Sequence, residues 1–448
     1  MKRLNTLLFV LIIIPFSLMG QSLSFSEAVE NLKQGNKKLK GFEKQAEVAH
    51  LNYQATKGLY FPKISLNANY IHMNDNLYLN FNKYRNRLAN FIGLNAGILG
   101  DWRVQFQEQN ISRVSADLVW PVFTGGEIRA GIKANKLKVN LADAETNKLE
   151  NTLISNLVER YFQTQLAKEV INVRKQVLDA AKKHLYNAEK LEKNGIIAPI
   201  ETMQAKTAVA DAERELLSTL KDEELAKTTL IGLMGQQNVQ LDLITPLFEV
   251  RDLKPLTYYQ NLAKENYPDI VKARIKKEMT KQNKALKKGK FIPDVAIVGK
   301  KYLYTENLPI TEPDWYVGVG MKVDVFEGLK KIKEYKQATA LSQSIDLITT
   351  QAQVDIQTLV KKYYTEILKQ QEQIESLEKS ISFAKEVVRV RNKAFKEGFA
   401  TSVDVADANL YLASIKIKRL KALFESDKAL ANLLETCGDS MLFLNFTR

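Results

Sequence analysis

The chain has 448 residues, with 65 Lys and Arg against 51 Asp and Glu, a formal net charge of +14. A hydrophobic content of 45% excludes a disordered chain, and 10 Pro with 20 Gly exclude collagen-like or loop-dominated designs, pointing to long regular elements. The single cysteine, Cys437, excludes an intramolecular disulfide framework and a Cys-based zinc site, and His50, His72 and His184 are too scattered to suggest a His-rich metal centre.

Residues 1–20 read as an export signal. Lys2 and Arg3 form a basic start, Leu7 to Ile14 an apolar core broken by Pro15, and Gly20 a small residue at the cleavage position. The run is too short for a membrane helix, and no later run reaches the roughly 18 apolar residues that one needs. No cysteine follows the signal, so an N-terminal lipid anchor is not expected. A membrane crossing by the mature chain must then use β-strands.

Two halves, residues 21–255 and 256–448, follow one plan. Phe123-Thr124-Gly125 recurs as Phe326-Glu327-Gly328, and Tyr161, Gly195 and Gly235 recur as Tyr364, Gly398 and Gly438, all at an offset of 203 (326 − 123). An ungapped offset over so long a span indicates internal duplication. Upstream, Phe61-Pro62-Lys63-Ile64 pairs with Ile292-Pro293-Asp294-Val295 at a longer offset, which places an insertion between residues 63 and 120.

The first half is expected to hold a short helix over 37–59, strands over 63–72 and 113–123, a long helix over 126–194 and a return helix over 199–235. The second is expected to hold a helix over 268–290, strands over 294–303 and 315–326, a long helix over 329–397 and a return helix over 402–437. Residues 132–194 and 329–397 contain neither Gly nor Pro, which allows helices of roughly 95 and 105 Å. Ile345, Ile348, Ala352, Ile356, Leu359, Tyr363, Ile367, Gln370, Ile374, Leu377, Ile381, Ala384 and Val388 recur by threes and fours, a coiled-coil-like seam that needs partner helices. Each long helix stops at a basic turn and a glycine, Lys193-Asn194-Gly195 and Lys396-Glu397-Gly398. Pro199 then suits a first helical turn and Ser402 an N-cap, so the joints are tips of helical hairpins.

The strand segments alternate. Ile64, Leu66, Ala68 and Tyr70 oppose Ser65, Asn67 and Asn69; Val114, Ala116, Leu118, Trp120 and Val122 oppose Arg113, Ser115 and Asp117. In the second half Val295, Ile297, Trp315, Val317, Val319, Met321, Val323 and Val325 lie opposite Asp294, Lys300, Lys322 and Asp324. Strands of this length, apolar on one side, match a membrane β-sheet. Aromatics flank them: Tyr60, Phe61, Phe123, Phe291 and Phe326 at the helix side, and Tyr302, Tyr304, Trp315 and Tyr316 at the loop side. Four strands cannot close a barrel, since about eight is the minimum, so several chains must contribute. All helices then lie on one side, with loops 73–112 and 305–314 on the other.

With these features the chain resembles the TolC-type outer-membrane efflux proteins over essentially all of residues 21–448. The resemblance implies a mainly α chain with membrane β, in which three copies build one twelve-stranded β-barrel continued by a long helical barrel in the periplasm. It implies an outer-membrane exit duct of a tripartite efflux or type I secretion system, docked by a periplasmic adaptor and an inner-membrane pump of the RND or ABC type. The most specific local match is the run Thr401-Ser402-Val403-Asp404-Val405-Ala406-Asp407-Ala408. By resemblance, Asp404 and Asp407 line the periplasmic gate, with Glu201 and Gln204 at the equivalent first-half positions. Gly195, Ile196, Gly398, Phe399, Thr401 and Ser402 form the adaptor-docking tips. An alternative for Asp404 is an early-turn acid favoured by the helix dipole. Where some relatives place a Tyr and an Arg that help lock the entrance, this chain has Phe395 and Ala400, which supply neither a side-chain hydrogen-bond donor nor a charge.

No catalytic pattern is present, and no cofactor or metal is expected. Gly125 to Gly131 lacks the ending of a phosphate loop and reads as a strand-to-helix elbow. The basic residues are mixed with acids along helices in an exported chain, which points away from nucleic acid. Two rival readings are a non-transporting coiled-coil scaffold anchored by an outer-membrane barrel and a secreted enzyme with a helical stalk.

Overall fold

The structure, a computed structural model, describes residues 21–236, 241–307 and 312–447. The expected export signal over 1–20 lies outside the described residues, as does part of the expected loop 305–314. In chain order the elements are β1 (Gln21–Leu23), α1 (Phe25–Gly35), α2 (Lys37–Lys57), β2 (Lys63–His72), β3 (Leu77–Asn80), α3 (Asn82–Phe91), β4 (Arg103–Gln107) and β5 (Asn110–Thr124). There follow α4 (Glu127–Lys193), α5 (Pro199–Met234), β6 (Leu241–Leu243), α6 (Leu256–Asn266) and α7 (Pro268–Gly289). The chain ends with β7 (Asp294–Glu306), β8 (Trp315–Lys322), α8 (Lys330–Lys396) and α9 (Ser402–Thr436). Helices α4 and α8 are 67 residues each, or roughly 100 Å. Among the described residues no helix is long and apolar enough to cross a membrane.

The chain packs as two compact units, each gathering segments of both halves. The first comprises residues 21–45, 142–273 and 348–447. Its core is built on Phe25, Tyr161, Phe162 and Phe443, whose rings touch at centroid distances from 5.2 to 5.8 Å, with Leu157, Met234 and Leu433 buried around them. The Tyr161 hydroxyl donates to the Leu23 carbonyl at 2.7 Å and accepts from the Thr245 N–H at 3.1 Å. It thereby pins β1, which pairs in parallel with β6. Neither short strand, nor α1, nor α6 belongs to the expected layout. Three-residue strands more than 200 residues apart are too short to show alternation. A signal for α1 was nevertheless present: Ser24 and Glu27 form a reciprocal capping box. Gly235 ends α5 at φ +70°, where a Cβ would lie 2.4 Å from the Gly35 carbonyl oxygen, so only glycine fits.

The second unit comprises residues 46–141 and 274–347. Its main sheet is antiparallel in the order β2-β5-β7-β8, so β2 and β8 are open edges. Register places Ile64 opposite Leu118, Leu118 opposite Gly299 and Gly299 opposite Val317, one row of an apolar face on which Ile64, Val317 and Val319 are exposed, Val319 at 74%, and Leu118 and Ile297 are half-buried. The other face carries Asp117, which accepts from Asn67 and pairs with Lys300 at 3.4 Å, and Arg113, which reaches Asn69 and Glu312. A sheet with a bare apolar face and a wired polar face is the pattern expected of a lipid-facing wall around a wet lumen.

Several expectations are corrected here. The strand expected over 315–326 stops at Lys322, because Lys322 pairs with Asp294, the first residue of β7, and nothing remains for residue 323 to bond. The strand expected over 113–123 runs from Asn110 to Thr124, and that over 294–303 runs to Glu306. Of the four loop-side aromatics, only Tyr304 and Trp315 share the apolar face. Tyr302 lies opposite Ser115 and donates to Glu312, and Tyr316 lies opposite Lys300, both on the polar side. Alternation separates Trp315 from Tyr316, and the register shift between Val114 and Ser115 separates Tyr302 from Tyr304. Finally, the expected loop 73–112 is an ordered excursion, with the β3–β4 hairpin enclosing α3.

Candidate functional site

The candidate residues singled out in the sequence sit at the ends of two helical hairpins within the first unit. At α4 the chain turns through Gly195 at φ +69°, with Gly195 N–H bonded to Glu192 O at 2.8 Å and Ile196 N–H to Leu191 O at 2.9 Å. At α8 it turns through Gly398 at φ +78°, with Gly398 N–H bonded to Phe395 O and Phe399 N–H to Ala394 O. Both are glycine C-caps in the left-handed region. They leave Ile196 and Phe399 projecting, the latter 83% exposed.

The hairpins are joined just behind these turns. Ala188, Ala205, Phe395 and Val405 form a small buried cluster drawn from α4, α5, α8 and α9. The Glu201 carboxylate crosses from α5 to accept the Ser402 N–H at 2.6 Å. That N–H is the first of the helical amides left without an intrahelical partner. The N-cap of α9 is Thr401, not the expected Ser402, which is the first helical residue. Thr401 and Asp404 form a capping box: Thr401 Oγ1 accepts the Asp404 N–H at 3.2 Å, and Asp404 Oδ2 accepts from the Thr401 N–H at 2.9 Å and its hydroxyl at 2.8 Å. These bonds hold the Asp404 carboxyl below the usual carboxylate range, with a minor contribution from Arg391 at 3.6 Å. Asp404 thus serves its own helix end. Asp407, one turn further, is exposed, with no hydrogen bond or ion pair among the described residues.

Sequence reasoning did not single out His184. It is buried against Phe395, ring centroids 4.5 Å apart, and its Nε2 has no hydrogen-bond partner. Burial pushes its pKa down, opposed by the charge of Glu201. Phe395 therefore works as an apolar lid on a neutral imidazole. A cavity of about 460 Å³ opens beside it, lined by His184, Gln204, Ser402, Val405 and Asp407 among others. The Gln204 Oε1 and Ser402 Oγ atoms are buried there without partners. Among the described residues no cluster of three or more His, Cys, Asp or Glu could hold a metal ion.

The arrangement comprises an open membrane-type sheet, two long helices and paired hairpin tips. It defines a class of outer-membrane conduit. Residues 28–236 and 260–439 match the family model described as outer membrane efflux protein, and the chain belongs to that family. It is 20% identical over 332 residues to the cobalt-zinc-cadmium resistance protein CzcC of Cupriavidus metallidurans, covering 72% of this chain and 77% of the relative. Its fold is similar to that of CusC, with a TM-score of 0.77 and 13% identity over 94% of this chain and 93% of the other. It is also similar to the outer membrane protein VceC of Vibrio cholerae, with a TM-score of 0.72 and 16% identity over 93% and 96% of the two chains. The open-state MtrE outer membrane channel of Neisseria gonorrhoeae aligns at a TM-score of 0.73 and 16% identity, over 93% and 89%. The protein is an outer-membrane efflux channel with a TolC-like fold, its helices in the periplasm.

Proposed function

We propose that three copies of this chain form one exit duct, the edge β8 of each pairing with β2 of the next to close a twelve-stranded barrel. The observation that carries this is the sheet itself: an exposed apolar face between two unpaired edges. Such edges are intolerable in lipid unless another strand covers them. The equal lengths of α4 and α8, and the shared geometry of their glycine turns, support reading residues 21–255 and 256–448 as two repeats of one plan.

In this reading the duct catalyses nothing and needs no cofactor. Energy comes from an inner-membrane pump of the RND or ABC type, coupled through a periplasmic adaptor that docks on Gly195, Ile196, Gly398, Phe399, Thr401 and Ser402. Projecting apolar side chains on rigid glycine turns suit such docking. Asp404 and Asp407, with Glu201 and Gln204, form the periplasmic entrance. Asp407 is the free carboxylate, and Asp404 and Glu201 hold the helix ends in place. Threefold repetition of Asp407 makes a carboxylate ring that favours cations. Planar-bilayer conductance tests this. The reconstituted protein should open cation-preferring pores, and Asp407→Ala should weaken both that preference and block by multivalent cations. A protein that inserts but never conducts would be a scaffold instead.

A further inference from the structure

The excursion between β2 and β5 is not used by the duct described above. It leaves the sheet at the end remote from the helices, where Met73 N–H still bonds to Gln109 O at 2.8 Å. Its helix α3 has one buried anchor, Ala89. Taking 100° per residue, Asn82, Arg85 and Asn86 flank that inward line. Asn82 and Arg85 are spent inside the excursion, on Asp101 and on the Gly100 carbonyl. The opposite, outward face carries Lys83, Tyr84, Arg87 and Phe91, with Leu88 at its edge. Tyr84 is 60% exposed and Phe91 89% exposed, and Ile98 beyond the helix is 73% exposed. Lys83 and Arg87, one turn apart, have no ion pair or hydrogen bond among the described residues. By contrast, Arg103 is paired with Asp101. An exposed helix face that combines aromatics with unpaired cations is the composition of a helix lying in an anionic lipid interface.

We propose that the α3 face binds the phosphorylated lipid headgroups of the outer leaflet, with Lys83 and Arg87 on phosphate and Tyr84, Phe91 and Ile98 seated at the acyl boundary. Two observations favour lipid over any other occupant. The excursion leaves the sheet at the end where Tyr304 and Trp315 close its apolar row, which is the membrane-boundary end of the wall. Its charge is also complementary to a phosphate-bearing leaflet, since Lys83 and Arg87 are exposed and unpaired among the described residues.

The test uses the full-length protein with Phe91→Cys carrying an environment-sensitive fluorophore; the native Cys437 is buried and unreactive to the label. The protein is placed in nanodiscs of phosphatidylcholine with diphosphoryl lipid A, in nanodiscs of phosphatidylcholine alone, and in lipid-free amphipol. The label should shift to the blue and resist aqueous iodide only with lipid A present. A label equally wet in all three media would overturn the proposal. A label equally shielded in all three, including amphipol, would also overturn it and assign the face to a neighbouring copy. Independently, Lys83→Gln with Arg87→Gln should reduce lipid A retained on the detergent-solubilised protein by about thirtyfold, at roughly 1 kcal/mol per cation near an anionic surface and 1.4 kcal/mol per tenfold. Conductance should be unchanged. Equal retention in the variant would refute the role of the cations.

Discussion

The hydrogen bond from the Ser402 N–H to the Glu201 carboxylate is a direct tie between the tips of the two hairpins, and a single substitution cuts it. Ser402 N–H is a first-turn amide whose only acceptor is the carboxylate of another helix, at 2.6 Å. Hydrogen bonds to a charged group contribute about 1.5–3 kcal/mol, and a neutral acceptor roughly half as much. Glu201→Ala should therefore raise the exchange rate of the amides at the start of α9 about ten- to a hundredfold, at 1.4 kcal/mol per tenfold. Glu201→Gln should give an intermediate value. The Thr401–Asp404 capping box and the Ala188–Phe395–Val405 cluster remain in both variants, so α9 should stay helical. Hydrogen exchange read by mass spectrometry on peptides covering residues 396–410 is the assay, with peptides from the α1–α6 core as the internal standard. Unchanged protection in the Ala variant would show that the tip is held by its apolar cluster alone and that the cross-hairpin bond is incidental.

Three further outcomes follow from the same structure. Tyr161→Phe leaves the Thr245 N–H without its partner, at about 1–3 kcal/mol, while the Leu23 carbonyl keeps the Ile244 N–H at 3.2 Å; the apparent melting temperature of the solubilised protein should drop by a few degrees, and an unaltered value would mean that water replaces the hydroxyl. His184 has its pKa depressed by burial, so the unfolded state binds its proton first and tip stability should fall as pH drops below about 6.5. His184→Phe should abolish that slope, measured as tip exchange at pH 7 and pH 5; a slope that persists would point to another group. Asp427 is fully buried, only weakly compensated by the Phe248 backbone, and its pKa is raised well above the usual carboxylate range. Its protonated form is the one the fold favours, so stability is greatest at low pH and is lost as pH rises through the raised value. Asp427→Asn should match the parent near pH 4 and exceed it at pH 8 in thermal unfolding; no gain at pH 8 would show that the carboxylate is solvated in a way the packing does not suggest.

Where the sequence carried a long signal, the fold was legible in it. The Gly- and Pro-free stretches ended at Gly195 and Gly398, and the helices stop there because only those residues reach positive φ without strain. The alternation of Val317, Val319 and Met321 identified the lipid-facing row because a strand has no other way to sort its side chains. What escaped was either short or decided by neighbours distant in the chain. The three-residue strands β1 and β6 exist only because Tyr161 and the aromatic core hold them. Asp404 was ambiguous between gate and cap, although Thr401-x-x-Asp404 is itself a capping signature; the geometry shows the capping bonds directly. His184 gave no local cue at all. Its environment depends on Phe395, more than 200 residues away, and no periodicity reveals such a partner.

In the proposed duct one chain supplies a third of a lipid-embedded cylinder. Native mass spectrometry of the mature protein, extracted from outer membranes and kept in detergent, addresses this most directly. The predicted result is a detergent-dependent particle of three copies that dissociates only when the sheet edges are forced apart. A monodisperse single copy, soluble without detergent, would contradict it.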